Sequence, residues 1–225
     1  MSRIRRALVM AAGRGLRMKP LTDVIPKPMA PIGGSTLIAK GIERLRTHLS
    51  EVHITVGYKG AMLAGHVIEH NVSSVINTEG KGNSWWIYHS LLSACDEPVL
   101  VLTCDNVVEL DFALLEEDYA ALADPPCMVV PVRPVAGLDG DYIFQENNRV
   151  TRLSRTDVSD VYCSGMQVLN PAAIVRGTRP TESFYEVWEQ LIATGQLACS
   201  SVYPQTWLAI DTLQQLSAAS ARFPQ

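Results

Sequence analysis

The stretch MAAGRGLRMKPLTDVIPKPMAPIGG, Met10 to Gly34, decides how this sequence is read. It follows a short apolar run, Ala7 to Met10, of the kind that forms a buried parallel strand. Gly13 and Gly15 let the backbone turn sharply and come close to a ligand. Successive N–H groups in such a turn form a concavity for anions. Arg14, Arg17, Lys19 and Lys27 add positive charge, and arginine can grip phosphate oxygens with a two-pronged fork. Pro26 and Pro28 stiffen the backbone on either side of Lys27. A solvated surface turn with basic residues is the alternative reading of the glycines alone.

Two familiar phosphate loops do not fit. The stretch has no G-x-x-x-x-G-K-[ST], and GRGLRM lacks the third glycine of the dinucleotide fingerprint.

Outward from this loop, strands and helices alternate. Ser35 can cap a helix carrying Ile38, Ile42, Leu45 and Leu49, spaced four, three and four apart. Val52 to Val56 reads as a strand, Lys59 to His70 as a helix and Ser74 to Ile76 as a strand. A second glycine-containing loop, Asn77 to Ser84, leads to a helix over Trp85 to Ala94. Val99 to Leu102 is a strongly apolar strand ending at Thr103-Cys104-Asp105-Asn106. This alternation predicts an α/β fold with a doubly wound, mostly parallel, Rossmann-like sheet. Ligands on such sheets bind at the carboxyl ends of the strands, so both glycine loops and Asp105 should gather there.

The second half is less regular. Cys127 to Val132 is a strand, and Tyr142 to Gln145 with Arg149 to Leu153 forms a hairpin around Glu-Asn-Asn. Val161 to Leu169 is a strand, Glu182 to Ala193 a helix, Trp207 to Ile210 a strand, and a last helix begins after Asp211. No linker, low-complexity tract or internal repeat interrupts the chain. The expectation is one domain over 1–225, with a nucleotide-binding half (1–125) and an acceptor-binding half (126–225).

Composition agrees with a folded core. The chain has 225 residues, is 47% hydrophobic and 19% charged, and carries a net charge of -4. Nothing suggests nucleic-acid binding, since the one basic cluster, Arg3, Arg5 and Arg6, is short. No apolar run approaches the roughly 18 residues of a membrane span, and no secretory leader is visible, so a cytosolic location is expected. The five cysteines form no C-x-x-C pair and an odd number cannot pair fully, which favours buried free thiols over disulfides or zinc. The sequence leaves a homo-oligomer open.

The string GRGLRMKPLTDVIPKPM resembles the signature of the sugar-1-phosphate nucleotidylyltransferase family, G-x-G-x-R-x-x-P-L-T followed by P-K-P. Gly13, Gly15, Arg17, Pro20, Leu21, Thr22, Pro26, Lys27 and Pro28 match it. The resemblance implies the nucleotide-diphospho-sugar transferase type of fold. It also implies transfer of a nucleotidyl group from an NTP to a phosphorylated acceptor, with release of pyrophosphate. Ala11, Ala12, Gly13 and Gly15 would lie against the nucleotide. Arg17 would hold the leaving pyrophosphate, and Lys27 would contact the reacting phosphates.

In the second loop, Asn77 or Asn83 offers a donor and an acceptor to a base edge, and Gly82 would let the base approach; a turn with two asparagines is the alternative. The stretch EGKGNSWWIYHSLLSA looks closer to cytidylyltransferases for phosphocholine or inositol-1-phosphate than to the glucose-1-phosphate branch. CTP is therefore the favoured donor, with the UTP- or GTP-using muramic acid and heptose phosphate branches as the alternative.

Phosphoryl-type chemistry needs positioning and charge neutralisation, and Mg²⁺ takes one or two carboxylates together with phosphates and water. Asp105, at a strand end, suits that role, or forms a turn with Asn106. Asp211, with Gln214 three residues on, reads as a capping box. The resemblance makes Asp211 the second metal carboxylate, and one residue could serve both purposes.

On the acceptor side, Arg155 falls near a family lysine that binds the acceptor phosphate, or is an exposed hairpin residue. Gly165, within SGMQVLNP, could give the acceptor room. Trp85, Trp86, Tyr142, Tyr162 and Trp207 either pack the core or cage a choline-like cation. Asp139, Asp141 and Glu146 either bind hydroxyls or an ammonium, or form a wet loop. Two rivals stand outside this chemistry: a catalytically silent nucleotide-binding regulator and a dinucleotide-binding dehydrogenase domain.

Overall fold

A computed structural model describes residues 3–135 and 140–221. In chain order the elements are β1 (Arg6–Met10), α1 (Leu21–Val24), β2 (Pro31–Ile32), β3 (Ser35–Thr36), α2 (Leu37–Arg46), β4 (Glu51–Val56), α3 (Gly60–Ile68) and β5 (Ser74–Asn77). There follow α4 (Trp85–His89), β6 (Val99–Thr103), β7 (Asn106–Glu109), α5 (Phe112–Ala121), β8 (Cys127–Val132), β9 (Tyr142–Glu146), β10 (Arg149–Ser154) and β11 (Tyr162–Leu169). The chain ends with α6 (Pro171–Gly177), α7 (Phe184–Ala193), β12 (Leu197–Cys199), β13 (Thr206–Ala209) and α8 (Leu213–Ser220). Among the described residues no helix is long and apolar enough to cross a membrane.

The residues group into two compact units. One holds Arg5–Lys81, Leu102–Val108 and the chain from Leu208 onward; the other holds Gly82–Val101 and Glu109–Trp207 with the start of the chain.

In the first unit β5, β4 and β1 run parallel, with Met10 opposite Thr55 and Val56 opposite Asn77. The amide of Cys104 donates to Met10 O, so the end of β6 emerges beside the end of β1. The glycine loop, Asn77 and Asp105 thus all leave from carboxyl ends of strands, as the alternation predicts. Helix α2 forms because Ile38, Ile42 and Leu45 recur on one face, and all three are buried. Each such side chain stabilises the fold by about 1.5–3 kcal/mol. Thr36, not Ser35, caps this helix by accepting from Ala39 N. A separate apolar cluster of Met18, Ala30, Ile32, Leu37, Ile210 and Leu216 ties the glycine loop to the last helix.

In the second unit the strand order is β6-β11-β8-β12-β10-β9. β11 runs antiparallel to both β6 and β8, while β12 is parallel to β8. The parallel α/β core of the first half is thus as expected, and the irregular second half is a mixed sheet. β9 and β10 form the expected hairpin, with Asn147 and Asn148 both at positive φ. The expected helix over Trp85 to Ala94 stops at His89: Ser90 is extended and a single 3₁₀ turn follows over Leu91–Ala94. Helices α5 and α6 were not anticipated. Asp111 and Asn170 cap them by accepting from Leu114 and Ala173. All five cysteines are free, with Cys127 and Cys199 buried.

Candidate functional site

The first unit gathers four charged side chains that the sequence separates widely. Lys27 lies in a short 3₁₀ turn begun by Pro26, and its side chain is almost fully buried. Its Nζ donates to Asp105 Oδ2 at 2.6 Å and to Asp211 Oδ1 at 2.8 Å. Arg17 Nη2 lies 2.9 Å from the same Asp211 oxygen, on a side chain that is largely exposed. Burial alone would lower the Lys27 pKa. The charge of Asp105, with the hydrogen bonds to Asp105 and Asp211, outweighs it, so the ammonium titrates above the usual lysine value.

Gly15 holds this arrangement. It adopts φ +60°, and a Cβ there would sit 2.7 Å from Lys27 Cβ and 3.2 Å from Thr22 Cγ2. Thr22 in turn donates from its hydroxyl to Gly15 O. A Cβ on Gly13, by contrast, would meet nothing within 4 Å, so that stretch of backbone is open. Ala11 N donates to Thr55 Oγ1, and Ala12 O accepts from Tyr58 N. Gly57 packs against Ala12, where a Cβ would fall 2.8 Å from Ala12 O. The sequence reading passed over Gly57 and Tyr58; their signal is a Gly-Tyr pair directly after a parallel strand.

Asp211 does not cap the last helix. Thr212 does, accepting from Gln215 N, while Gln215 Oε1 accepts from Thr212 N and Asp211 N. The capping box is thus one residue later than expected, which leaves the Asp211 carboxylate to the lysine and arginine.

Asp105 and Asp211 share the Lys27 ammonium, and their hard carboxylate oxygens are of the kind a magnesium-like cation takes. Among the described residues no group of three or more His, Cys, Asp or Glu is gathered for a metal. That donor set fits an ion completed by phosphates and water rather than a protein cage. Burial, reinforced by the Asp105 charge, keeps the neighbouring Cys104 thiol protonated, so it offers no thiolate.

Asn77 is exposed, and its Oδ1 accepts from Glu79 N. The remaining predicted residues lie in the second unit. Gly82 N donates to Glu182 Oε2, and a Cβ on Gly82 would fall 1.9 Å from Glu182 O. Asn83 Oδ1 accepts from Phe184 N, and Ser84 Oγ donates to Thr181 O. This end of the second loop is therefore stitched to the segment before α7, and the glycine there serves a close backbone approach.

Arg155 Nε donates to Asp141 Oδ1 at 2.9 Å, with Tyr185 beneath its guanidinium. Gly165 takes φ +80° at an irregularity in the pairing of β11 with β8. Trp86 and Tyr162 are buried, Trp85 stacks on His89, and Trp207 Nε1 donates to Ser164 O. Tyr142 meets Tyr162 edge-on. Trp85, Tyr142 and Trp207 remain partly exposed. Glu146 is exposed at the hairpin end of β9, away from Asp141, and Asp139 lies outside the described residues.

The profile of the MobA-like NTP transferase domain family matches residues 7–196. The chain belongs to that family. Among similar proteins is the mannose-1-phosphate guanyltransferase of Emericella nidulans, 26% identical over 207 residues, which cover 85% of this chain and 57% of that enzyme. The chain thus spans little more than half the length of that relative. The N-acetylmuramate alpha-1-phosphate uridylyltransferase of Caulobacter vibrioides is 23% identical over 235 residues, covering 97% of each chain. Among solved structures, the inositol-1-phosphate CTP transferase from T. maritima superposes with a TM-score of 0.77 at 16% identity, covering 99% of this chain and 98% of that one. A UDP-glucose pyrophosphorylase complexed with UDP-glucose gives 0.73 at 17% identity, over 98% of each. These likenesses establish the fold as the nucleotide-diphospho-sugar transferase type.

Proposed function

We propose that this protein transfers a nucleotidyl group from an NTP to a small phosphate monoester and releases pyrophosphate. The observation that carries this reading is the convergence of Lys27 and Arg17 on Asp105 and Asp211 beside the open backbone at Gly13. An oxygen of the acceptor phosphate attacks the α-phosphorus, and the bond from that phosphorus to the bridging oxygen of pyrophosphate breaks. No protein nucleophile is required. Lys27 is fixed by burial at the reacting phosphates, where its charge offsets theirs. Arg17, on the exposed side of the loop, pairs with the departing pyrophosphate. Asp105 and Asp211 would hold a divalent cation such as Mg²⁺, which when bound neutralises charge on the phosphates.

For the base, the favoured donor is CTP, supported by the Asn-bearing stretch after β5 and by the likeness to an inositol-1-phosphate CTP transferase. Asn77 or Asn83 would read it; the Oδ1 of each accepts from a backbone amide, of Glu79 and Phe184 respectively, and the amide nitrogen of each could face a base. A second reading, UTP or GTP with a sugar 1-phosphate, is supported by the uridylyl- and guanyltransferases among the relatives. The acceptor is a small phosphate monoester of the phosphocholine, inositol-1-phosphate or sugar-1-phosphate kind, the sugar phosphates being supported by the transferases among the relatives. Arg155, whose Nε donates to Asp141 Oδ1, would bind its phosphate, and Gly165 would give the acceptor room.

The test is pyrophosphate release with Mg²⁺ over four NTPs crossed with inositol-1-phosphate, phosphocholine and several sugar 1-phosphates. Turnover with one pair establishes the reaction and names the substrates. Turnover only with UTP or GTP removes the CTP choice. Nucleotide binding without turnover anywhere on the grid, unchanged by Arg17→Ala, favours a silent regulator.

A further inference from the structure

The glycine loop carries two kinds of cation. Lys27 and Arg17 are already engaged on carboxylates. Arg14 is not. It is exposed, and its guanidinium carbon lies 5.4 Å from the centroid of the Tyr58 ring. The Nζ of Lys59 lies 5.5 Å from the same centroid. Neither cation has a carboxylate partner among the described residues. Two like charges are thus brought to one ring, whose face attracts each of them but cancels neither charge.

The backbone adds to this imbalance. Lys59 is the residue that opens α3, with φ +51° and no side-chain cap. A left-handed lysine is a costly conformation. It also sets a positive charge at the positive end of a helix dipole, where an anion would be favoured. Tyr58 is itself anchored to the loop, through its amide on Ala12 O and its hydroxyl donating to Thr22 O at 2.9 Å. The ring therefore fixes where Arg14 and Lys59 stand relative to Gly13 and Gly15.

We propose that Arg14 and Lys59, held on the Tyr58 ring, form a subsite for the outer phosphates of the nucleotide, those that leave as pyrophosphate. This rests on the nucleotidyl-transfer reading and extends it: the subsite selects for polyphosphate length. Arg14 and Lys59 supply charge to the tail that departs, while Lys27 serves the phosphate that reacts. Tyr58 is a positioning residue that acts through both cations.

Calorimetric titration of an NTP, its di- and monophosphates, pyrophosphate and tripolyphosphate tests this in the whole chain. Arg14→Gln and Lys59→Gln should each weaken triphosphate and pyrophosphate binding about tenfold, as expected for loss of one charge-assisted contact, and leave monophosphate binding unchanged. Tyr58→Phe keeps the ring and should retain most of the affinity. Tyr58→Leu removes it and should match Arg14→Gln. Losses equal for mono- and triphosphates, or none, overturn the subsite, as does a wild-type protein that binds no polyphosphate. Wild-type turnover with unaffected variants removes this inference and leaves the transferase reading. Length-dependent losses in a protein silent across the substrate grid do the reverse.

Discussion

Gly13 and Gly15 stand two residues apart in one loop and meet opposite surroundings. Gly15 is required by the fold: its φ of +60° and its contact with Lys27 leave no place for a methyl group. Gly15→Ala should cost about 1–3 kcal/mol of stability, from the strained backbone alone. It should also lower turnover sharply, because the lysine that it pushes is the one bound to both aspartates. Gly13→Ala meets no protein atom within 4 Å and should leave the melting temperature unchanged. If Gly13 lies against the nucleotide, that same substitution weakens NTP binding; unchanged affinity would remove Gly13 from the binding surface. The sequence showed that both glycines matter to a tight turn. It could not show which one packs and which one is open, because Lys27 and Thr22 reach Gly15 only in three dimensions. Gly82 illustrates the same limit: in the sequence it reads as room for a base, whereas the atom that excludes a side chain is a carbonyl a hundred residues away, at Glu182.

At the scale of single elements, helix α8 separates folding from chemistry within two adjacent residues. Thr212 caps the helix and Asp211 faces Lys27 and Arg17. Thr212→Ala should lower stability by about 1 kcal/mol and leave turnover nearly intact. Asp211→Asn should do the opposite, with a loss of turnover and a higher requirement for divalent cation. Equal effects of the two on turnover would contradict that division. The sequence placed a cap here but one residue early, since Asp and Thr are both good caps and only the backbone angles choose between them. Strand direction was equally hidden: nothing in the composition of β11 announces that it runs against β6 and β8.

On β4, His53 gives an element-scale prediction with pH. It is buried, its Nδ1 is 2.8 Å from Ser74 Oγ on β5, and its Nε2 has no hydrogen-bond partner among the described residues. Burial lowers its pKa below 6.5; the Glu51 charge opposes this and the Arg6 charge adds to it. The unfolded chain therefore binds the proton first as pH falls. The contribution of neutral His53 is complete above pH 6.5 and is lost as pH drops through the folded-state value. Thermal melts between about pH 7 and pH 5 should show falling stability, and His53→Gln should flatten that slope. An unchanged slope in the variant would assign the effect elsewhere, with His66, also lowered by burial, the next residue to replace.

At the scale of the whole molecule, the two compact units are interleaved along the chain. The first is assembled from three separated segments, and β6, β7 and β13 each contain residues of both units. Asp105 enters the site through the second of those segments and Asp211 through the third, so no one of the three segments contains all four charged residues. The strand-end position of Asp105 and the family resemblance at Asp211 named the two carboxylates. Periodicity could not have done so, because the two lie 78 and 184 residues from Lys27. Such threading makes independent unfolding of either unit topologically costly, and calorimetry should find one cooperative transition with equal calorimetric and van't Hoff enthalpies. Two resolved transitions would mean that the units are energetically separate despite their shared strands. A cooperative molecule also reports ligands globally: an NTP at about a hundred times its Kd should stabilise the fold by about 2.7 kcal/mol. For a chain of this size that raises the melting temperature by roughly 5–10 °C. The shift should shrink in Arg14→Gln, because fewer of the phosphates are held. In Lys27→Met it should persist only if the phosphates bind without the buried ammonium. That second comparison separates the two cations of the loop by role: one sets affinity for the phosphate tail, and the other acts on the phosphorus that reacts.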